Sequence, residues 1–387
     1  MRPTRRRSAA TWKPCSRTWP TRGCSTHDRP RAPLALLAEL THRCPLACPY
    51  CSNPVEMVRA AGELPTETWK QVMTEAADLG CLQVHFSGGE PTVRKDLEEL
   101  VAHAAQVGLY SNLITSGVLV DTARLAGLSA AGLDHIQVSF QDTEVASAER
   151  IGGLRGAQPR KLAFCRAVRE AGLPLTLNAV VHRQNLDRLQ EMIDLSLDLG
   201  ASRLEVAHVQ YYGWALKNRA ALMPTRQQLE AATAVVDAAR VALKGRLVID
   251  YVVPDYYASR PKPCMGGWGR RFITVNPSGK VLPCHAAESI PGLEFQRAGD
   301  VPLADIWDWG PAFERFRGTG WMPSLCQTCE HKERDWGGCR CQALALTGDA
   351  TATDPACAKS PFHRDLVAVA ERESAADVGE FVYRRFS

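Results

Sequence analysis

Short apolar runs alternate with amphipathic helical stretches over residues 34–253 of this chain of 387 residues. Six of the runs have the length and composition that predict strands, at residues 34–40, 82–87, 110–115, 135–139, 175–181 and 204–209. The stretches between them predict helices, with Thr66, Asp121 and Thr225 as N-caps and with Gly80 and Gly132 among the stops.

Repeated strand–helix units predict an α/β fold in which a parallel sheet is connected by right-handed crossovers. Because the repeats number six rather than eight, we expect an open, partial (β/α)6 barrel over residues 32–255. Ligands in such folds collect at the carboxyl ends of the strands. Residues 44–51, 88–90 and 181–182, together with Ser116 and Ser139, all lie at predicted strand ends. A smaller, cysteine-rich unit with a β-hairpin and a C-terminal helical tail is expected over residues 256–387.

Composition and charge exclude several classes of function. Apolar residues make up 45% of the chain, as in a globular protein with a substantial core. The first 31 residues hold nine basic residues against one acid, so the rest is nearly neutral and no nucleic-acid surface is indicated. That segment lacks the apolar region of a secretory signal, and we interpret it as a disordered leader or as a non-native extension from an upstream start codon. No run of about 18 apolar residues occurs, so we expect a cytoplasmic protein.

Cysteine usage indicates metal binding rather than disulfides, since fourteen cysteines occur in a chain without a secretory signal. Three lie within residues 44–51 and seven lie between residues 264 and 357. Cys81 and Cys165 stand alone and are predicted to be small core residues. Cys15 and Cys24 belong to the leader and are not expected to bind metal.

The first cysteine group has the spacing C-x3-C-x2-C, formed by Cys44, Cys48 and Cys51, and follows the first predicted strand. Three close thiolates can bind three irons of a [4Fe-4S] cluster and leave the fourth iron open. An open iron can take an exogenous ligand, so the pattern points to chemistry. A zinc knuckle is the alternative, although zinc sites more often pair two C-x2-C units and fill four positions.

A second motif, Ser-Gly-Gly-Glu-Pro at residues 87–91, follows the second predicted strand. Gly88 and Gly89 would let the backbone approach a ligand without a Cβ clash. Glu90 could accept a charge-assisted hydrogen bond from an ammonium group, worth about 1.5–3 kcal/mol. Ser139 and Asn178 are polar positions on the fourth and fifth strands, where both ligand contact and ordinary hydrogen bonding within the sheet remain open.

Polar and aromatic residues follow the sixth predicted strand, where they would either rim the mouth of the barrel or close its core as an aromatic cluster. They are His208, Gln210, Tyr211, Tyr212 and Trp214.

C-x3-C-x-Tyr-C followed by Gly-Gly-Glu-Pro resembles the signature of radical S-adenosylmethionine (SAM) enzymes. The resemblance implies that SAM chelates the open iron through its amino and carboxylate groups. One electron from the cluster then splits a C–S bond, giving methionine and a 5′-deoxyadenosyl radical. The resemblance further implies that Tyr50 lies against the adenine. The other implied SAM-binding residues are Gly88, Gly89, Glu90, Ser139 and Asn178.

The second cysteine group begins with a predicted hairpin, in which two strands joined by a tight turn at residues 275–281 would bring Cys264 and Cys284 together. It continues with Cys326, Cys329, Asp335, Cys339, Cys341 and Cys357. Residues 311–360 show little apolar periodicity, so we expect this segment to need metal in order to fold. Zinc in place of iron–sulfur clusters is the alternative.

This group resembles the SPASM domain, an extension of peptide-modifying radical SAM enzymes. Asp335 departs from the SPASM pattern, because it stands where a cysteine belongs, and Cys341 is an added thiol. The family's interleaved pairing implies an auxiliary cluster I, either [4Fe-4S] or [2Fe-2S], on Cys264, Cys284, Cys339 and Cys341. It implies an auxiliary cluster II on Cys326, Cys329, Asp335 and Cys357. A carboxylate is a harder ligand than a thiolate and would shift the potential of cluster II. The alternative for Asp335 is a helix cap or a solvent-facing carboxylate.

Residues 32–387 resemble the PqqE family of pyrroloquinoline quinone (PQQ) biosynthesis, on the motifs above together with Gln-Val-Ser-Phe-Gln-Asp-Thr at residues 137–143 and Asp335. The resemblance implies a C–C cross-link between a Glu γ-carbon and a Tyr ring carbon of the precursor peptide PqqA. A chaperone, PqqD, would present the peptide, and a donor such as flavodoxin would supply electrons. The alternatives are a sulfatase maturase that oxidises Cys or Ser, and a metal-stabilised adaptor that binds peptides without radical chemistry.

Overall fold

Nine strands form a single sheet within residues 32–384, the part of the chain that this computed structural model describes. They are β1 (Ala35–Thr41), β2 (Gln83–Gly88), β3 (Tyr110–Thr115), β4 (His135–Phe140), β5 (Leu175–Val181), β6 (Arg203–His208), β7 (Val248–Val252), β8 (Phe272–Val275) and β9 (Val281–Leu282). Their order is β7-β6-β5-β4-β3-β2-β1-β8-β9. All neighbours are parallel except β8 and β9. The leader, with Cys15 and Cys24, lies outside the described residues.

The partial parallel barrel predicted from the sequence is confirmed, and each of the six predicted strands lies within one residue of its observed position. The seventh strand, β7, was not predicted. Its run of apolar residues is short, and Asp250 interrupts it at its centre.

Helices connect the strands and continue beyond them. They are α1 (Thr66–Leu79), α2 (Leu97–Gln106), α3 (Thr122–Ala131), α4 (Val145–Gly152), α5 (Ala157–Glu170), α6 (Leu189–Asp198), α7 (Gly213–Lys217), α8 (Arg219–Leu222), α9 (Arg226–Ala242), α10 (Leu303–Trp309), α11 (Pro311–Glu314), α12 (Ser324–Gln327), α13 (Lys332–Asp335), α14 (Arg340–Thr347) and α15 (His363–Ala375).

Two of the three predicted N-caps are confirmed. The Asp121 side chain accepts a hydrogen bond from the backbone N–H of Arg124. Thr225 forms a reciprocal capping box with Gln228. The prediction for Thr66 was wrong, because Pro65 occupies the cap position and the Thr66 hydroxyl instead donates to Asp96 over 2.6 Å. Proline supplies no cap bond, but its extended backbone leads directly into the helix.

The two faces of the sheet differ in character. Side chains such as Leu36, Phe86 and Val138 are fully buried and belong to the main core. Many of the alternate positions, among them His85, Gln137 and Asn178, are polar and only partly buried. Since side chains alternate between the two faces of a strand, the second face forms a polar, accessible lumen. Cys81 and Cys165 are buried in the main core, as predicted.

The hairpin of the cysteine-rich segment, β8 and β9, extends the barrel sheet, because β8 pairs in parallel with β1. Its turn is fixed by the Asn276 side chain, whose oxygen accepts hydrogen bonds from the backbone N–H groups of Ser278 and Lys280. The predicted domain boundary after residue 255 stays a prediction, since the described residues form one compact unit. No helix among these residues is both long and apolar enough to cross a bilayer.

Candidate active site and thiol clusters

The loop that carries Cys44, Cys48 and Cys51 leaves the carboxyl end of β1. All three thiols are partly buried. The backbone N–H of Cys51 donates to the carbonyl of Cys48 over 3.1 Å, and that of Ala47 donates to the carbonyl of Gly152 in α4 over 2.8 Å. The loop is therefore turned back on itself and tied to the adjacent part of the barrel.

Burial disfavours the thiolate form at this loop, because a charged group loses solvation in a low-dielectric environment. Burial raises the pKa of Cys44 to about 12 and that of Cys48 to about 11, and it also raises the pKa of Cys51. The positive charge of Arg384 opposes this rise at each of the three thiols. Thiolate formation here therefore calls for a bound cation, and metal binding would release protons.

Gly88 and Gly89 press against the chain's own backbone at the start of the cysteine loop. A Cβ on Gly88 would lie 2.3 Å from the carbonyl oxygen of Thr41, and one on Gly89 would lie 2.4 Å from that of Arg43. The N–H groups of Gly89 and Glu90 donate to these same two oxygens over 2.6 and 2.8 Å. The start of the cysteine loop therefore lies against the backbone of Gly88 and Gly89, where the sequence predicted the close approach of a ligand.

Glu90 is fully buried, and its carboxylate already accepts hydrogen bonds from within the chain. The donors are the N–H and hydroxyl groups of Thr92, the hydroxyl of Thr115, and the N–H and hydroxyl of Ser116. This network joins the end of β2 to the end of β3, a role that the sequence did not predict. A SAM contact for Glu90 stays a prediction.

Tyr50, next to Cys51, lies at the carboxyl ends of β4 and β5. Its hydroxyl contacts Gln141 and the thiol of Cys48, and its ring centroid is 5.7 Å from that of His182. Burial lowers the pKa of His182 to about 3, so its imidazole is neutral at neutral pH. The side chain predicted to meet the adenine is therefore held between a thiol and an uncharged aromatic ring.

Lys161 is a buried cation at this site that sequence reasoning did not identify. It lies in α5, is 1% exposed, and donates to the carbonyl of Ser139 over 2.9 Å and to the side-chain oxygen of Gln141. Burial lowers its pKa to about 8. The buried face of α5 also carries Phe164 and Cys165 at helical spacing. A lysine on a largely apolar helix face was the signal that could have found it.

Ser139 and Asn178 are paired across β4 and β5 and are both partly buried. The backbone carbonyl of Ser139 is bound by Lys161, while the Asn178 amide donates to Glu205 over 2.8 Å. Asn178 thus has a hydrogen-bonding partner within the sheet. Direct SAM contacts for the two residues stay predictions.

The residues after β6 pack largely as an aromatic cluster. Tyr211 is buried edge-on against Tyr256 with ring centroids 5.0 Å apart, and the ring of buried His208 lies 5.4 Å from that of Tyr251. Tyr212 differs, because its hydroxyl is hydrogen-bonded to His285, the neighbour of Cys284. Core packing therefore describes Tyr211 and His208, whereas Tyr212 lies beside the second cysteine group.

Four thiols of the second cysteine group contact one another in a closed ring. Cys264 touches Cys284 and Cys339, and Cys341 touches the same two thiols from the other side. The contact between Cys264 and Cys284 raises the pKa of the first and lowers that of the second. The hairpin does bring Cys264 and Cys284 together, as predicted. These are the four residues expected to hold auxiliary cluster I.

The other four expected ligands line one small cavity, which is partly open to solvent. They are Cys326, Cys329, Asp335 and Cys357. Asp335 ends the short helix α13, and one of its oxygens accepts from the N–H of Gly337 over 3.0 Å. Asp335 therefore lines the same cavity as the three thiols while its carboxylate stabilises the turn, so the cap interpretation and the ligand interpretation are compatible.

Within residues 32–384, no three His, Cys, Asp or Glu side chains converge closely enough to bind a single metal ion. The thiol ring and the thiol-lined cavity nevertheless each gather four donors. A cluster distributes its thiolate ligands over several irons, so its ligands need not converge on one point. Cysteine thiolates are the usual protein ligands of such clusters, so both donor sets fit iron–sulfur clusters.

Comparison with known proteins agrees with this geometry. Residues 38–196 match the family model of the radical SAM superfamily, and residues 264–330 match that of the SPASM iron–sulfur cluster-binding domain. The first match contains the cysteine loop and the glycine motif. The second begins at Cys264 and includes Cys284, Cys326 and Cys329.

Two proteins named PqqA peptide cyclase align with almost the whole chain. The protein from Granulibacter bethesdensis is 61% identical over 354 residues, which cover 91% of this chain and 94% of that protein. The protein from Rhodopseudomonas palustris is 62% identical over 356 residues, covering 92% and 94%. Streptococcus suis SuiB bound to S-adenosylmethionine has a similar fold, with a TM-score of 0.72 at 20% identity over 86% of this chain and 78% of SuiB. The chain therefore belongs to the PqqA peptide cyclase family of radical SAM enzymes that carry a SPASM domain.

Proposed function

We propose that this enzyme joins a Glu γ-carbon to a Tyr ring carbon in the precursor peptide PqqA, an early step of PQQ biosynthesis. The observation that carries the proposal is the presence of three separate cysteine-containing groups in a chain about 60% identical to PqqA peptide cyclases. One group lies at the mouth of a polar lumen, and the other two lie in the segment after the barrel.

The first group, Cys44, Cys48 and Cys51, would hold a [4Fe-4S] cluster with one open iron. When bound there, the cluster supplies the electron that cleaves SAM and so provides a radical able to remove a hydrogen atom. Tyr50 would orient the adenine. The backbone around Gly88 and Gly89 would hold the cysteine loop in position at the strand ends. Lys161 supplies buried positive charge beside the thiolates and offsets part of the cost of their burial.

The second cysteine group would hold two auxiliary clusters with the ligand sets described above. The reaction requires such redox capacity, because the cross-link removes two hydrogens from the peptide. One leaves the Glu γ-carbon as a hydrogen atom, and the other leaves the Tyr ring as a proton and an electron. The auxiliary clusters would accept that surplus electron. Asp335 gives one of them a harder oxygen ligand and hence a different potential.

The proposed partners follow from the family. PqqA is the substrate, PqqD presents it, and a cytoplasmic donor such as flavodoxin reduces the enzyme. The polar face of the sheet supports peptide binding, since its side chains are only partly buried and include hydrogen-bonding groups on β2, β4 and β5.

The test is anaerobic incubation of the reconstituted protein with SAM, a reductant, PqqA and PqqD, followed by mass spectrometry. The proposal predicts a peptide lighter by two hydrogens together with 5′-deoxyadenosine. With PqqA deuterated at the Glu γ-carbon, deuterium should appear in the 5′-deoxyadenosine. Formation of 5′-deoxyadenosine without any change in the peptide would contradict the substrate assignment. Oxidation of a Cys or Ser peptide instead would favour a sulfatase maturase.

A further inference from the structure

The C-terminal strap, defined here as residues 376–384, returns across more than 300 residues of sequence to the cysteine loop. The side chain of Asn218 forms hydrogen bonds with both the strap and the cysteine loop. Its side-chain oxygen accepts from the N–H of Val382 over 2.7 Å, and its amide donates to the carbonyls of Val382 and Pro49 over 3.0 and 3.1 Å. Pro49 lies between Cys48 and Tyr50, so a single buried amide joins the strap to the loop.

Aromatic packing holds the strap in place. Phe381 is 8% exposed and lies edge-on to His182, with ring centroids 6.1 Å apart. The guanidinium of Arg150 lies 4.9 Å from the centre of the Phe381 ring, and the backbone carbonyl of Arg150 accepts from the Tyr383 hydroxyl. The same His182 packs against Tyr50. The strap is therefore part of the wall of the site.

The guanidinium of Arg384, the last residue that the structure describes, contacts the cysteine loop. The residue is 5% exposed, and one terminal nitrogen donates to the carbonyls of Cys44 and Leu46. The other lies 4.0 Å from the sulfur of Cys51 and 3.5 Å from that of Met57. A planar guanidinium can bind two carbonyls and a sulfur at once, whereas a lysine ammonium lacks this fixed fork.

From these contacts we propose that Arg384 is a positioning residue of the SAM-binding cluster. Arg384 holds the cysteine loop in the conformation that binds the cluster, and it raises the reduction potential of the cluster. Hydrogen bonds to cluster sulfurs and positive charge beside them both favour the reduced, more negative state. Because the donor N–H groups are charged, these bonds are stronger than neutral ones. The inference rests on the proposed function, since it requires a cluster on Cys44, Cys48 and Cys51.

The test is a redox titration of the full-length reconstituted protein, followed by electron paramagnetic resonance. The SAM-binding cluster is recognised as the signal that changes when SAM is added. The variants are Arg384→Gln, which removes the charge, and Arg384→Lys, which keeps the charge without the fork. Arg364→Gln is the matched control, because Arg364 is exposed on α15.

We expect the potential of this cluster to fall in the order wild type, Arg384→Lys, Arg384→Gln. For the last variant the reduction equilibrium should weaken at least tenfold, which corresponds to about 59 mV for one electron. Arg364→Gln and the auxiliary signals should match the wild type. If Arg384→Gln does not bind the cluster, the comparison rests on Arg384→Lys. A potential for Arg384→Lys equal to that of the wild type then overturns the inference. Any other order also overturns it. A wild-type protein without a SAM-responsive signal would instead refute the proposed function.

Discussion

At the scale of single residues, the side chains and backbone atoms of the site support one another through direct contacts. Gly88 and Gly89 leave room for the carbonyls of Thr41 and Arg43, and Glu90 then ties the same turn to the end of β3. The ligand contacts predicted for these three residues stay predictions. The contacts within the chain were not predicted, because a Gly-Gly-Glu motif looks the same in sequence whether a cofactor or a neighbouring loop approaches it.

Gly89→Ala should destabilise the contact between the glycine turn and the cysteine loop. A Cβ 2.4 Å from the Arg43 carbonyl meets backbone that cannot move aside freely, and overpacking of this kind costs about 1–3 kcal/mol. We expect a lower thermal midpoint and a reduced rate of SAM cleavage. Gly320→Ala is the control, because its new Cβ would have no neighbour within 4 Å. Equal behaviour of the two variants would contradict the steric account.

Asp335→Cys should leave the iron content near that of the wild type but change the spectrum of one cluster. Asp335 lines the same cavity as Cys326, Cys329 and Cys357, and thiolate and carboxylate ligands give clusters different electronic properties. Electron paramagnetic resonance of the reduced protein measures the change, with Asp365→Cys on the exposed side of α15 as the control. An unchanged spectrum would mean that Asp335 is not a ligand.

At the scale of elements, hydrophobic periodicity predicted the strands well because each is buried on one face by helices. Caps were predicted less well. Thr225 and Asp121 do cap their helices, but Thr66 was displaced by the preceding proline. β7 was missed, and the pairing of β8 with β1 could not be predicted, since it joins segments separated by the whole barrel.

Thr225→Ala should destabilise the protein by about 1 kcal/mol, since it removes the side chain that caps α9 and breaks a reciprocal capping box. Thermal unfolding at matched scan rates measures the effect. Gln227→Ala, an exposed change in the same helical turn, is the control and should have little effect. Both variants should retain SAM cleavage, because α9 packs against α6 and β7. A midpoint for Thr225→Ala equal to that of the control would show that the cap contributes nothing.

At the scale of the whole molecule, the fold gathers ten of the cysteines into three groups. The spacing of the cysteines predicted these groups, and the thiol ring and the thiol-lined cavity contain the expected members. What the sequence did not predict are contacts across long separations. Arg384 reaches Cys44 across 340 positions, and the Lys161 ammonium donates to the carbonyl of Ser139 across 22 positions. Local patterns carry no information about such pairs.

The central claim is that radical chemistry begins at the loop after β1 and that the downstream thiols form separate sites. Simultaneous replacement of Cys44, Cys48 and Cys51 by Ala tests it most directly, through iron content and SAM cleavage in the reconstituted protein. The account predicts that 5′-deoxyadenosine formation is abolished while the iron of the downstream sites remains. Retained SAM cleavage, or loss of all iron, would contradict it.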